Sequence, residues 1–397
     1  MEIYRSPVQS RSGGKETLGT LGILVSKSAT GHPPFTEAGF ARSLCLAAAE
    51  KGLTAFAFTP AAETDNEQIS GYAFRNGAWI RQWFPLPDLI YDRCFASGKA
   101  KLEKQAALAR LAGQHRFRCL SRGTGGKWLV YQILKQHTET AAFLPETRRY
   151  EGFGRLDQRL SRFPEGIFLK PQFGMQGKLA MHLKKDTAGG SPVYHLTGRD
   201  GSNSVFNRRF SDSREARNYI ESLRQGQPFL VQPFLQLLTT NGEPFDIRVL
   251  VQKDGSGQWS VTGMAARVGA AGSLTSNLHG GGRAFQAEAL LQRELGSTAA
   301  RTAAALIRRL SAVIPACLEE RFGRLAELGI DFGVDAEARV WILEVNSKPG
   351  RSAFRTIGDS SGARRSVENP VLYACYLLKQ PEAVRSYQKR QLARSDA

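Results

Sequence analysis

The sequence predicts a mixed α/β (α+β) chain built from more than one subdomain. Three observations carry that prediction. Residues 17–115 alternate short apolar strands with helices, the order of a small α/β layer. Residues 229–268 read as successive strands around polar turns, and residues 328–350, LGIDFGVDAEARVWILEVNSKPG, as a hairpin of two strands bearing acidic side chains. With 397 residues, 42% of them hydrophobic, the chain has room for two or three subdomains.

Residues 1–16 are polar and rich in Ser and Gly and read as a disordered tail. An N-terminal α/β domain is expected over 17–120. It opens with a strand at 18–25. Phe40, Leu44 and Ala48 then recur at helical spacing up to Lys51 and Gly52. Strands at 53–58, 72–74 and 78–83 follow, the last two flanking Asn76–Gly77, a strong hairpin signal. A strand at 89–93 and a helix around 101–111 complete the unit. No glycine fingerprint follows the first strand, so no dinucleotide site is indicated.

A second subdomain is expected over 121–228. GGKWLVYQILKQH is a helix with Trp128, Ile133 and Leu134 toward its buried side, and LPET (144–147) leads to a short strand. A charged helix at 156–163 precedes the strand IFLK. PQFGMQGK (171–178) is a glycine-bearing loop returning to a strand at 179–183. A link at 186–192, a strand at 194–197 and a helix at 213–224 follow.

The third subdomain, 229–380, begins with an apolar strand at 229–234. Strands at 245–251 and 259–268 pair around the turn 253–257, and TSNLHGGGR (275–283) is a glycine-rich loop. Leu306, Leu310 and Ile314 mark a long amphipathic helix over 302–318, expected to bend at Pro315. Asn369 and Pro370 look like an N-cap with proline at the first helical position, opening a last helix through 378. Residues 381–397 form a basic tail, and there is no internal repeat.

The net charge is +18 and the pI about 9.9, which suits polyanionic ligands. The basic residues are scattered pairs such as Arg208–Arg209, with no long run and no zinc-finger or RNA-binding signature, so nucleic acid is disfavoured as a partner. Five cysteines without a C-x-x-C indicate neither a disulfide framework nor structural zinc. Cys45, Cys317 and Cys375 read as core fillers. The six histidines are dispersed. No run spans a bilayer and MEIYRSPVQSRSGGKE lacks a signal-peptide core, so a cytoplasmic location is expected.

Strand alternation places Glu344 and Asn346 on one face of the second hairpin strand. A hairpin symmetric about Glu337 and Ala338 sets Asp331 opposite Glu344, and carboxylates roughly 5 Å apart repel. A divalent cation removes that cost, and oxygen donors of this kind suit Mg²⁺ completed by substrate phosphates. An exposed acidic hairpin is the plain alternative. Lys170 stands where IFLK enters the glycine loop, a place for backbone amides and one charge to meet phosphates, although PQFGMQGK is not a Walker A loop. An ordinary turn with a surface lysine explains that stretch equally well in isolation.

Taken in order, Lys127, Lys170, the strand FLVQPFL, Asp246-Ile-Arg248, Arg267, Ser276-Asn277-Leu278 and Asp331 with Glu344 and Asn346 resemble the ATP-grasp superfamily. GKWLVYQIL, LPET, FLKP, PFDIRVLVQ and LEVNSKPG more particularly resemble its YheC/YheD family of spore-coat-associated proteins, over roughly residues 17–380. The resemblance implies an ATP-grasp fold: an N-terminal pre-ATP-grasp domain and two α+β subdomains gripping nucleotide. It implies ATP and Mg²⁺ as cofactors. Lys127 and Lys170 would contact the α- and β-phosphates, with Gly174 and Gly177 letting the loop close. Gln232, Pro233, Phe234 and Leu235 would be a hinge whose backbone groups read the adenine edge, and Asp246 would take the ribose hydroxyls. Arg248 and Arg267 would face the reacting phosphate, Asn277 would lie near the γ-phosphate, and Asp331, Glu344 and Asn346 would hold Mg²⁺. His279 reads as a loop histidine.

The expected activity is a carboxylate–amine ligase that works through an acyl phosphate, its donor and acceptor unspecified, with ATP as a partner. Phosphoryl transfer needs positioning and charge neutralisation more than a protein nucleophile, in keeping with the dispersed histidines. The alternative is a structural or assembly protein of the spore coat that keeps the fold and binds nucleotide without turnover, with coat proteins as partners. The loop FGMQGK carries fewer glycines than many of its kind, and Gln176 and Lys178 are bulky.

Overall fold

The computed structural model describes residues 17–174, 177–276 and 281–380. The expected tails, Asn277 and His279 lie outside them. The chain divides into two compact units, one of Met1–Arg122, Gln252–Ser260 and Arg364–Ala397, the other of Gly123–Val251 and Val261–Ala363.

The first unit is built on β1 (Thr20–Leu24), α1 (Ala38–Glu50), β2 (Thr54–Phe58), β3 (Gln68–Arg75), β4 (Ala78–Pro85), β5 (Leu89–Asp92), α2 (Gly98–Gln114) and β6 (Arg118–Cys119). Its sheet runs β4-β3-β2-β1-β5-β6. β1 lies parallel to β2 and β5, and all five of its residues are buried, as the unbroken apolar run TLGIL demands of a central parallel strand. Asn76 and Gly77 both take positive φ, 49° and 80°, the two-residue turn whose twist matches a hairpin.

The second unit holds α3 (Lys127–Gln136), α4 (Thr138–Ala141), β7 (Arg148–Arg149), α5 (Phe153–Leu160), β8 (Ile167–Pro171), β9 (Met181–Asp186), β10 (Val193–Arg199), β11 (Val205–Phe210), α6 (Ser213–Arg224) and β12 (Phe229–Pro233). The strands form one sheet, β11-β10-β9-β8-β12-β7. Ile167, Leu169, Met181, Leu183, Tyr194 and Leu196 pack against Phe153, Leu156 and Leu160 of α5 and Ile220 of α6. Alternation therefore turns Phe168, Lys170, His182, Leu230 and Gln232 to the opposite face. β11 was not foreseen from the sequence, because in VFNRRF only Phe206 is buried and no alternation is visible.

The third sheet runs β15-β14-β13-β16-β17. It comprises β13 (Phe245–Lys253), β14 (Trp259–Val268), β15 (Arg283–Gln286), β16 (Glu327–Val334) and β17 (Val340–Asn346), with helices α7 (Ala287–Leu295), α8 (Ser297–Phe322), α9 (Ser352–Thr356) and α10 (Ser360–Lys379). All eight residues of β16 are buried. The tip of the β13–β14 hairpin belongs to the first unit.

The start of the last helix departs from expectation. α10 begins at Ser360 and carries Pro370 in its interior, so Asn369 is not an N-cap. Proline cannot donate to the carbonyl four residues back. That carbonyl, Ser366 O, accepts instead from Nε2 of the fully buried Gln252 at 3.1 Å, and Asn369 Nδ2 lies 3.5 Å from Gln252 Oε1. A glutamine from the β13–β14 tip thus replaces the missing helical donor. Gln252→Leu is expected to cost about 1–3 kcal/mol by stranding that carbonyl. Urea unfolding checks it, and an unshifted midpoint would show that the carbonyl finds another donor.

Candidate functional site

The β16–β17 hairpin sets the geometry. Near the turn its register is Val334↔Val340, Gly333↔Trp341 and Phe332↔Ile342; it then shifts, giving Asp331↔Glu344, Ile330↔Val345 and Gly329↔Asn346. Leu343 is the extra residue of a β-bulge. The pair Asp331–Glu344 therefore forms as expected, although the hairpin is not symmetric about Glu337 and Ala338; the bulge makes up the one-residue difference. A bulged residue leaves its backbone groups without a ladder partner, and Lys170 Nζ donates to Leu343 O at 3.2 Å. The bulge thereby ties β8, which leads into the glycine-bearing loop, to the acidic strand β17.

The repulsion expected between Asp331 and Glu344 is relieved inside the protein. Arg248 grips Asp331 with both Nε (2.5 Å) and Nη2 (2.9 Å). Arg267 Nη2 lies 3.0 Å from the same carboxylate, and Arg267 also clasps Asp246 at 2.7 and 2.5 Å. The result is a buried row of alternating charge, Arg248–Asp331–Arg267–Asp246, across β13, β14 and β16. A cation is thus not needed to hold the hairpin together, which corrects that part of the sequence argument. Burial pushes the Asp331 carboxyl up, but Arg248 and then Arg267 more than reverse this and hold it at about 2. The same two carboxylates hold the Arg267 guanidinium above its ordinary value against the opposing effect of burial.

The pH dependence follows from the sign of the Asp331 shift. A carboxyl titrating lower in the folded than in the unfolded chain adds stability that is complete above the unfolded value of 3.8 and is lost as pH falls through about 2. The thermal midpoint is expected to fall over that window by more in the wild type than in Asp331→Asn, as scanning calorimetry at stepped pH would record.

Glu344 is left freer. Its nearest cation is Lys127 Nζ at 3.6 Å, and its side chain keeps 26% of its exposure. Lys127 opens α3, where its amide donates to Gln172 O at 3.3 Å and its Nζ to Gly174 O at 2.7 Å. Lys170 is pushed down to about 8 by burial, opposed by Glu344 and Asp331 and assisted by Lys127. Gly174 and Gly177 both take positive φ, 151° and 70°, which favours glycine. Gln176 lies outside the described residues, so the loop's cover is described only up to Gly174 and from Gly177.

A narrow cleft joins these groups to β12. Its walls include Val130, Tyr131 and Leu134 of α3, Leu230 and Gln232 of β12, and Ile342 to Val345 of β17, with Lys127, Lys170 and Glu344 at one end. Along β12, Leu230 faces Lys170 and Gln232 faces Phe168, so Gln232 stands one strand repeat, roughly 7 Å, from the lysine level. Gln232 Nε2 donates to Thr147 Oγ1 at 2.8 Å. Pro233 pairs with Ile167. The amide of Phe234 is taken by Gly166 O at 3.0 Å and its ring stacks on His182 at 3.7 Å, while Leu235 O accepts from Leu237.

The structure therefore brings together Lys127, Lys170, Glu344 and Gln232, and separately Asp246, Arg248, Arg267 and Asp331. Asn346 shares the Glu344 face of β17, and the next residue, Ser347, accepts the Thr124 amide at 3.2 Å. Thr147, Tyr131 and Leu343 carry no signal of their own in the sequence. LPET carried the threonine as part of a motif, but nothing in the sequence marks its hydroxyl or the bulge. No group of three or more His, Cys, Asp or Glu is placed to share a metal among the described residues. An Mg²⁺ site at Glu344 and Asn346 must therefore draw on an amide oxygen and on ligands from outside the protein, which suits Mg²⁺. No described helix is long and apolar enough to cross a membrane.

The fold is the ATP-grasp fold. The crystal structure of D-cycloserine synthetase DcsG matches 91% of this chain and 100% of its own with a TM-score of 0.53 at 13% identity. The chain belongs to the YheC/D-like ATP-grasp family, whose pattern matches residues 116–377. It is 28% identical over 345 residues to the endospore coat-associated protein YheC of Bacillus subtilis (strain 168), covering 86% of this chain and 91% of that one. It is 29% identical over 332 residues to YheD of the same organism, covering 80% and 69%.

Proposed function

We propose that the protein is an ATP- and Mg²⁺-dependent carboxylate–amine ligase. The observation that carries this reading is the cleft running from a buried amide, Gln232, to two lysines and a partly exposed carboxylate. An apolar slot with a polar reader at one end and concentrated charge at the other suits a nucleoside polyphosphate. Lys170 and Lys127 meet the phosphates, and Lys127 exchanges Gly174 O for a phosphate oxygen. Glu344 and Asn346 hold Mg²⁺, which neutralises phosphate charge when bound, with Asp331 beside them.

Arg248, Arg267 and Asp246 act in this reading as positioning residues, fixing Asp331 through the charge row. This places Asp246 behind Arg267 and not at the ribose. Asn277 keeps its expected place near the γ-phosphate on resemblance alone. In the reaction a carboxylate oxygen attacks the γ-phosphorus and ADP leaves. An amine nitrogen then attacks the acyl phosphate, inorganic phosphate leaves, and the amine proton passes to solvent. The protein supplies orientation and charge, and no covalent enzyme intermediate forms.

A second reading has one observation in its favour: the relatives are named for association with the endospore coat. On that reading the chain is a coat or assembly protein that keeps the nucleotide cleft without turnover. ADP release on presentation of amino acids and short peptides with ATP and Mg²⁺ separates the two. Acceptor-dependent ADP supports the ligase. Tight nucleotide binding with no ADP from any amine supports the assembly protein.

A further inference from the structure

The hinge glutamine is held in one orientation by a closed chain of hydrogen bonds. Thr147 is 2% exposed and Gln232 8%. Thr147 Oγ1 lies 2.9 Å from Pro145 O and 2.8 Å from Gln232 Nε2. A hydroxyl has a single proton, and the Pro145 carbonyl can only accept it. Toward Gln232 the same oxygen can therefore only accept, so the side chain must present its NH₂ group there. The backbone of Thr147 is fixed in turn, its amide donating to the Tyr131 hydroxyl at 3.3 Å. A flipped amide would set Gln232 Oε1 against Oγ1, lone pair against lone pair.

The consequence appears on the other side of the amide. Gln232 Oε1 receives no hydrogen bond from a described residue, yet it is not among the sealed buried atoms without a partner. The residue lines the cleft, so the accessible atom there is a fixed acceptor. A 6-aminopurine offers that oxygen an N–H donor. A 6-oxopurine offers it another acceptor and leaves both groups unpaired. We propose that Thr147 determines the base preference of the cleft, selecting adenine over guanine and hypoxanthine by locking the Gln232 amide. The inference rests on the nucleotide-binding reading above and adds to it the residue that sets its selectivity.

The test is calorimetric binding of the non-hydrolysable adenosine, guanosine and inosine triphosphate analogues, with Mg²⁺, to the full-length protein. Wild type is expected to prefer the adenosine analogue by about 10- to 100-fold, the usual consequence of one mispaired polar contact. Thr147→Val keeps the shape and removes the hydroxyl, freeing the amide to turn; it should narrow the preference to within about 3-fold, and Thr147→Ser should restore it. If Thr147→Val fails to fold, Gln232→Glu, an acceptor in either orientation, should keep the adenine preference and Gln232→Met should lose it. An unchanged ratio in folded Thr147→Val, or equal weakening of all three analogues, overturns the proposal. Binding of all three alike to wild type overturns it and leaves the nucleotide site standing, whereas binding of none removes both.

Discussion

Replacing Arg267 by Met should lower stability by about 3–5 kcal/mol, the penalty typical of breaking a buried ion pair from one side. Arg267 stands between two carboxylates, and its side chain is 9% exposed. Without it Asp246 has no cation in the row, and Asp331 keeps only Arg248. For a unit of this size the midpoint should drop by roughly 6–20 °C. Arg267→Met combined with Asp246→Asn should recover part of the loss, because the stranded charge goes with its partner. A calorimetric scan of the three proteins tests this. A single variant melting within a degree or two of wild type would mean the row is not a stabilising network.

The second large effect belongs to Glu344. Its contact to Lys127 at 3.6 Å is partly exposed and long for a hydrogen bond, and a pair of that kind contributes little to folding, about 0–1 kcal/mol. Glu344→Gln should therefore melt close to wild type. Its effect on Mg²⁺-dependent binding of a non-hydrolysable ATP analogue should be at least about 100-fold, since losses of 10- to 100-fold already follow from changing a residue that merely orients a ligand. Calorimetry with and without Mg²⁺ reads the difference directly. Metal-dependent affinity equal to wild type would remove Glu344 from the site and place the cation elsewhere. The two variants separate roles that the sequence presents as one acidic cluster: Arg267 with Asp331 holds the frame, and Glu344 faces the cleft.

Much of the fold is legible in the sequence. TLGIL is buried on both sides, so its apolar run had one reading, and Asn76–Gly77 could only be a tight hairpin. The strand IFLK runs into a glycine-bearing loop, which placed Lys170 at the root of that loop; its face followed only from the burial of Ile167 and Leu169. Where no pattern of burial repeats, as in VFNRRF, the strand was invisible. Pro370 misled for a different reason. Proline forbids a local donor, and a donor from 118 positions away in sequence, Gln252, was available only after the β13–β14 tip and α10 had met.

The site divides along the same line. The sequence by itself determined the ingredients and their order: two lysines, a glycine loop, a hinge strand and a hairpin with Asp331, Glu344 and Asn346. Periodicity fixes which face a side chain takes, and that is a local property of the chain. Only the tertiary structure decided who pairs with whom. It supplied the lysine that takes the bulged Leu343 carbonyl, the two arginines that neutralise Asp331, and the threonine that orients Gln232. Each depends on a partner far along the chain, at a distance where one ångström separates a hydrogen bond from none, and no local pattern encodes that.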